Sequence, residues 1–214
     1  MLDSKCKMCR RAGEKLFLKG ERCFTPKCAI SRNPGLPGMH RSSKGSSKSK
    51  RGGRGGSEFG KQLAEKQKVK RSYGLREKQF RKYFDAASKK HAATSDVLAQ
   101  LLEARLDNVI YRLGFAGSRS QARQTAGHGH FIVNGKRVDI PSFQLKIGDV
   151  VAIRSGSASK AAFKDLKTAL KKYQPPEWLE LDKENLIGTI KRLPTLQEID
   201  MPFKLQLITE FYSR

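Results

Sequence analysis

The chain has 214 residues, room for one large domain or two small ones, and 44 basic against 20 acidic side chains give it a formal net charge of +24. With 37% hydrophobic and 30% charged residues the core is modest, and self-repulsion of this size is relieved by a polyanion that gains free energy as its counterions are released. No stretch approaches the ~18 apolar residues of a spanning helix and the start Met1-Leu2-Asp3-Ser4-Lys5 lacks a secretory apolar core, so a membrane partner is not expected and the cytosol or an organelle is.

Residues 1–56 carry +12, residues 57–95 carry +7, residues 96–154 carry +3 and residues 155–214 carry +2. The polyanion is therefore expected to be gripped mainly by the N-terminal half. All four cysteines, Cys6, Cys9, Cys23 and Cys28, fall in one window with the pattern C-x2-C-x13-C-x4-C. Each pair can chelate from one turn while the intervening loop closes the site, which suits a structural tetrahedral zinc ion. Lys5, Lys7, Arg10, Arg11 and Lys27 favour thiolate over thiol and offset the charge of a zinc tetrathiolate. An iron–sulfur cluster also accepts four thiolates; two disulfides would need an oxidising compartment.

Residues 41–56, RSSKGSSKSKRGGRGG, hold six basic side chains, five Ser and five Gly with no apolar residue. Such a segment cannot repay the entropy of ordering itself, and a passive linker has no need of the charge. Arg41, Lys44, Lys48, Lys50, Arg51 and Arg54 are, as a group, candidate contacts to an anionic partner. Two helices are predicted over 58–71 and 75–90, with Gly74 at a C-terminal cap. Phe80, Tyr83, Phe84 and Ala87 share one face of the second, suited to core packing, and the opposite face is basic. Lys66, Lys68, Lys70 and Arg71 are further candidate contacts.

A third helix is predicted from Thr94 or Ser95 to Leu113, with Leu98, Leu101, Leu102, Val109, Ile110 and Leu113 as its apolar stripe and Arg112 near its end. Ser118 with Gln121 fits a capping box opening a short helix over about 119–126. That helix carries Arg119 and Arg123 one turn apart, a spacing that can fork onto phosphates or stack on unpaired bases. Phe131-Ile132-Val133, Asn134-Gly135 and Lys136-Arg137-Val138 read as a hairpin, and His128, Lys136 and Arg137 extend the basic face. Val150–Ile153 is a further strand. The tail reads as an amphipathic helix over 160–173 with Phe163, Leu166 and Leu170 aligned, then Pro175-Pro176, apolar pieces around Trp178, Leu179 and Leu181, and a strand-like Phe203–Ile208.

The run RLDNVIYRLGFAGSRSQARQTAGHGHFIVNGKRVDIPSFQLKIGDVVAI, Arg105 to Ile153, resembles the small RNA-binding domain named after bacterial ribosomal protein four, a module that modification enzymes and synthetases also carry. CKMCRRAGEKLFLKGERCFTPKCA, the Pro37-Gly38-Met39-His40 turn, EKQKVKRSYGLREKQFRKYF and the terminal ITEFYSR are similar, in the same order, to the small-subunit ribosomal protein four family itself. The resemblance implies an α+β fold: a four-cysteine zinc knot with helices, and an inserted helix-turn-helix packed on a hairpin-rich sheet. The segments are then 1–40, 41–56, 57–95, 96–154, and 155–214 packing back on the helical domain.

It also implies a non-enzymatic, structural constituent of the ribosome. Such a protein lies in the cytoplasm, in the small ribosomal subunit, binds the 5′ domain of 16S ribosomal RNA and nucleates assembly of the subunit body. It touches small-subunit ribosomal protein five, influences translational accuracy, and lines with its 41–54 stretch the pore through which mRNA enters. No small-molecule substrate is implied. Three departures stand out: a shorter start, Met39 where the family has Gln, and a longer 41–56 loop. The alternative is an RNA-modifying enzyme bearing the same module, which would need a catalytic domain of ~100–200 residues; the 61 residues from Arg154 onward hold no nucleophile or paired-carboxylate constellation.

Overall fold

The computed structural model describes residues 4–33, 35–37, 57–90, 92–160, 163–199 and 203–213. Along them run the helices α1 (Lys5–Ala12), α2 (Ala29–Arg32), α3 (Glu58–Ser72), α4 (Glu77–Ser88), α5 (Thr94–Glu103), α6 (Leu106–Arg112) and α7 (Arg119–Gly127), then strands β1 (Phe131–Val133), β2 (Lys136–Val138) and β3 (Val150–Ile153), then α8 (Ser155–Ala158), α9 (Leu166–Leu170), β4 (Leu179–Asp182), β5 (Ile187–Ile190) and α10 (Leu205–Tyr212). The chain divides into two units, Met1–Lys82 with Pro202–Arg214 and Tyr83–Met201.

In the first unit α3 begins where Ser57 Oγ accepts from the Gly60 N–H at 3.1 Å, satisfying one orphan donor of the first turn. The chain reverses at Gly74, where the Leu75 N–H donates back to the Lys70 carbonyl at 2.8 Å, the helix ending expected from the sequence. The C-terminal residues pack on α3. Phe203–Ile208, read from its alternation as a strand, is a bend followed by helix. Leu205 and Ile208, three apart, are both buried, and a helix alone puts them on one side. Gln62 donates to Glu210 at 3.0 Å and the Lys204 N–H to Glu65 at 3.1 Å, while Phe59 meets Phe211 and Phe80 meets Tyr212.

In the second unit the single helix expected over 94–113 is two. Ala104 and Arg105 leave helical geometry, Arg105 at φ −72°, ψ 140°. The freed backbone groups pair with the segment at 141–145: Leu106 N–H to Phe143 O, Asp107 N–H to Pro141 O and Leu145 N–H to Ala104 O, all at 2.9–3.1 Å. Three tertiary hydrogen bonds thus replace helical ones, a trade that periodicity does not register. The capping box at α7 forms, with Ser118 Oγ accepting from the Gln121 N–H at 3.3 Å. The Gln121 side chain reaches back one residue further, to the Gly117 N–H.

The sheet is antiparallel throughout, in the order β2-β1-β3-β5-β4. Asn134 and Gly135 both take positive φ, 50° and 78°, the type I′ geometry that matches strand twist. β5 and β4 were not predicted. Their connection has no Asn-Gly; instead the Asp182 carboxylate accepts from the Glu184 and Asn185 N–H groups and from the Asn185 side chain, an Asx-type turn. Gly188 on β5 lies so close to Leu113 that a Cβ would sit 2.3 Å from it; only glycine allows the sheet to approach α6.

The core of this unit gathers Leu106, Val109 and Ile110 of α6 and Leu113 at its C-cap with Phe131, Val151, Phe163, Leu170, Trp178 and Ile190. Phe163, Leu166 and Leu170 turn inward as their spacing suggested, but the helix is Leu166–Leu170, shorter than the expected 160–173. The described residues of 155–160 and 163–199 thus differ from the expected packing on the helical domain: β4 and β5 complete the sheet, Phe163, Leu166, Leu170 and Trp178 join the core of the RNA-binding module, and residues 203–213 alone of the described tail belong with the first unit.

Candidate nucleic-acid interface and cysteine centre

Cys6 and Cys9 lie one turn apart on α1, Cys23 ends a short 3-10 turn (Gly20–Cys23), and Cys28 precedes the first residue of α2. All four line one small cavity, together with Leu18, Lys19, Arg22 and Ile30. Burial pushes the Cys9 thiol up, and the three neighbouring sulfurs add to the rise through like charge, against a lowering hydrogen bond from the Leu16 backbone. Burial acts upward on Cys28 too, but hydrogen bonds from the Ser31 and Ile30 backbone and the Ser31 side chain, with the Lys15 charge, leave its pKa below the usual value. The thiols converge, yet among the described residues no three His, Cys, Asp or Glu side chains stand close enough to hold a metal as placed. As a donor set they suit a thiophilic cation: a positive charge at the centre would reverse the mutual penalty on Cys9.

On the helix-turn-helix the arginines are built in rather than free. Glu103, fully buried at the end of α5, accepts from Arg112 at 3.0 and 3.1 Å and from Asn108 at 2.9 Å, and lies 3.7 Å from Arg119. Arg119 Nε donates to Asn108 at 2.7 Å, and its guanidinium lies 4.8 Å from the centre of the Tyr111 ring. Asp107, also buried, accepts from both Arg105 and Arg123. Arg105 is inside the unit and bonds Tyr83 at 2.6 Å. The cluster thus sets four guanidinium groups against two carboxylates, a surplus of two positive charges on rigid supports. Arg112, Arg119 and Arg123 keep side-chain exposures of 15, 22 and 34%, enough to present an edge to a ligand.

A second basic surface lies across the hairpin. His128, Lys136, Arg137, Arg154 and Lys160 are exposed, and the Arg137 guanidinium folds over the Gly129 backbone, where a Cβ would stand 2.4 Å from it. His130 sits among them, 5.8 Å from the His128 ring and with Nδ1 3.0 Å from Ser157 Oγ. Its pKa is lowered by burial first, then by Lys160, His128, Arg154 and Arg137. Arg154 and Lys160 were not singled out in the sequence, because the tail they open is nearly neutral as a whole.

The α3 lysines divide. Lys66 is a correction: it is buried, donates to Glu77 at 2.7 Å and lies 4.4 Å from the Phe211 ring centre, so it holds α3, α4 and α10 together and does not face a ligand. Lys68 is held between Glu14 and Glu65, and Lys70 donates to Glu77. Arg71 is half-buried. Further exposed cations of this unit stand on α4 and at its threshold: Arg76, Lys78, Arg81 and Lys82. The basic face of α4 was legible in the sequence; these individual residues were not picked out. Arg41, Lys44, Lys48, Lys50, Arg51 and Arg54 lie outside the described residues.

Residues 1–103 match the family described as ribosomal protein S4/S9 N-terminal domain, and residues 104–151 match the S4 domain. The chain is similar to the small ribosomal subunit protein uS4 of Ruminiclostridium cellulolyticum, 49% identical over 212 residues that cover 99% of this chain and 98% of the relative. It is 51% identical to that of Caldicellulosiruptor bescii over 209 residues, 98% of this chain and 96% of the relative. With that of Natranaerobius thermophilus it shares 49% identity over the same shares of each chain.

Proposed function

The chain belongs to the ribosomal protein S4 family, and from that premise we propose how it serves the ribosome. It is a structural, rRNA-binding component of the small ribosomal subunit in the cytoplasm, and not an enzyme. The observation that carries the mode of binding is the set of arginines fixed by Glu103 and Asp107 on the helix-turn-helix. Guanidinium groups oriented before the ligand arrives lose little freedom on binding, so they discriminate among backbone shapes. The exposed cations of α4 add affinity through counterion release.

In this reading the RNA site is a multi-helix junction in the 5′ domain of 16S rRNA, and occupying it early nucleates the subunit body. Contact with small-subunit ribosomal protein five, an influence on translational accuracy, and a place for the 41–54 stretch beside the mRNA pore belong to the same proposal; the family resemblance and the basic composition of that stretch support them. The enzyme alternative loses ground because the tail it would need is spent on β4, β5 and the core of the module. Purified protein should co-sediment with small subunits and bind the isolated junction with an affinity that falls steeply with salt. A flat salt response would contradict the proposal.

We also propose that Cys6, Cys9, Cys23 and Cys28 hold a structural zinc ion, supported by their spacing and shared cavity. Zinc would supply the folding free energy that the apolar-poor first 40 residues lack, on the order of 10–16 kcal/mol at such sites. Elemental analysis should give one zinc per chain, and chelation should release the hydrogen-exchange protection of α1 and α2 only. Iron in place of zinc would revive the cluster reading; unchanged protection in metal-free protein would remove the metal altogether.

A further inference from the structure

Phe17 and Phe24 stack on each other at the surface of the cysteine-bearing segment, ring centres 5.0 Å apart and planes inclined by 28°. Phe24 is 74% exposed and Phe17 37%. Single exposed apolar residues are ordinary, but two aromatic rings stacked in solvent are not. The backbone works to keep them there. Phe17 takes φ 49°, a left-handed conformation that costs a residue with a Cβ free energy and persists only when its surroundings impose it. What imposes it is visible: Leu16 is buried and Leu18 packs on the same cluster as Cys9, Cys28 and Ile30. Reversing the chain at Phe17 sends both leucines inward and the phenyl ring out.

Three cations lie within two or three residues of the rings along the chain: Lys19 after Phe17, Arg22 before Phe24 and Lys27 after it. Lys19, Arg22 and Lys27 are exposed, and none of their side chains is held in an ion pair among the described residues. Glu21 is the exposed acid of the loop, while Glu14 is taken up by Lys68. A flat aromatic surface with unpaired cations close by in the chain matches the chemistry of a nucleotide, whose base offers a π face and whose phosphates offer negative charge. An apolar protein surface would match the rings but leave the charges uncompensated. We propose that Phe17 and Phe24 form a platform on which an unpaired RNA base stacks, with Lys19, Arg22 and Lys27 engaging the phosphates on either side. The proposal rests on the RNA-binding reading above and names a site within it.

The test uses the full chain and two RNA hairpins identical except at one bulged position, an adenosine in the first and an abasic nucleotide in the second. Fluorescence anisotropy at fixed salt gives affinities for the unsubstituted protein, Phe24→Leu, and Phe17→Leu with Phe24→Leu. Leucine keeps apolar bulk and removes the π face. Phe24→Leu should weaken binding of the adenosine-bulged hairpin about tenfold, leave the abasic hairpin unchanged, and leave the salt slope of both intact. Equal affinity of the unsubstituted protein for both hairpins would overturn the platform, as would no effect of Phe24→Leu on the first. So would a Phe24→Leu chain that binds both hairpins normally but no longer co-sediments with small subunits, which would make the pair a protein-docking surface. Failure of the unsubstituted protein to bind either hairpin would instead strike the RNA-binding reading itself.

Discussion

The arginines of α6 and α7 and the cations of α4 carry the same charge in opposite ways. Arg112, Arg119 and Arg123 are tethered to carboxylates that are themselves buried, so their side-chain entropy is lost when the protein folds. Arg76, Lys78, Arg81 and Lys82 stand exposed and would lose that freedom on binding, roughly 0.5–1.5 kcal/mol for each side chain immobilised. The difference teaches a division of labour: tethered cations fix geometry, untethered ones raise affinity and salt sensitivity.

Removing an anchor should break the comparison most severely. Glu103→Ala leaves Arg112 beside a vacated, buried site and removes the carboxylate that Arg119 and Asn108 also face; urea denaturation should show a loss of about 3–5 kcal/mol, the range for stripping one member of a buried ion pair. Asp107→Ala should behave alike through Arg105 and Arg123. A smaller loss, about 1 kcal/mol, is expected for Ser118→Ala, which removes the cap that orients α7.

Acid offers a gentler probe of the first unit. Hydrogen bonds from Lys66, Lys70 and Tyr212 outweigh burial, which acts upward, and hold the Glu77 carboxyl at about 2 against an ordinary 4.5. A depressed carboxylate pKa means that the unfolded state binds the proton more readily. The contribution of Glu77 is therefore complete above about pH 4.5 and fades as pH falls toward 2. Because Glu77 is nearly half exposed, the effect is modest. Hydrogen exchange of α10 amides should quicken across that window, and Glu77→Gln should flatten the dependence. Smallest in stability is Arg81→Ala, expected within about 0.5 kcal/mol of the parent by the same denaturation. Its mark should be on RNA binding, a salt slope shallower by about 0.9.

Local signals carried much of this fold. Asn134-Gly135 determines its hairpin because both residues accept positive φ, and Ser118 with Gln121 marks where α7 begins because the cap is a contact between near neighbours. What escaped was decided at a distance. Nothing between Thr94 and Leu113 interrupts the apolar stripe; the chain breaks at Arg105 because the 141–145 segment offers backbone partners. Lys66 reads as one of a run of basic residues, and its burial depends on Glu77, Phe211 and Tyr212. Phe203–Ile208 alternates like a strand, but α3 presents a helical groove in place of a sheet edge. The guanidinium tethers were missed for the same reason: Glu103 and Asp107 carry no signal of burial in their own neighbourhood.

The division between tethered and untethered cations is most directly tested by salt titrations of affinity for the rRNA junction and for an unrelated duplex of equal length. Arg76, Lys78, Arg81 and Lys82 replaced together by Ala should flatten the slope while leaving the preference for the junction intact. Arg119→Ala with Arg123→Ala should erode that preference with less change in slope. Proportional loss on both RNAs, in both variants, would contradict the account.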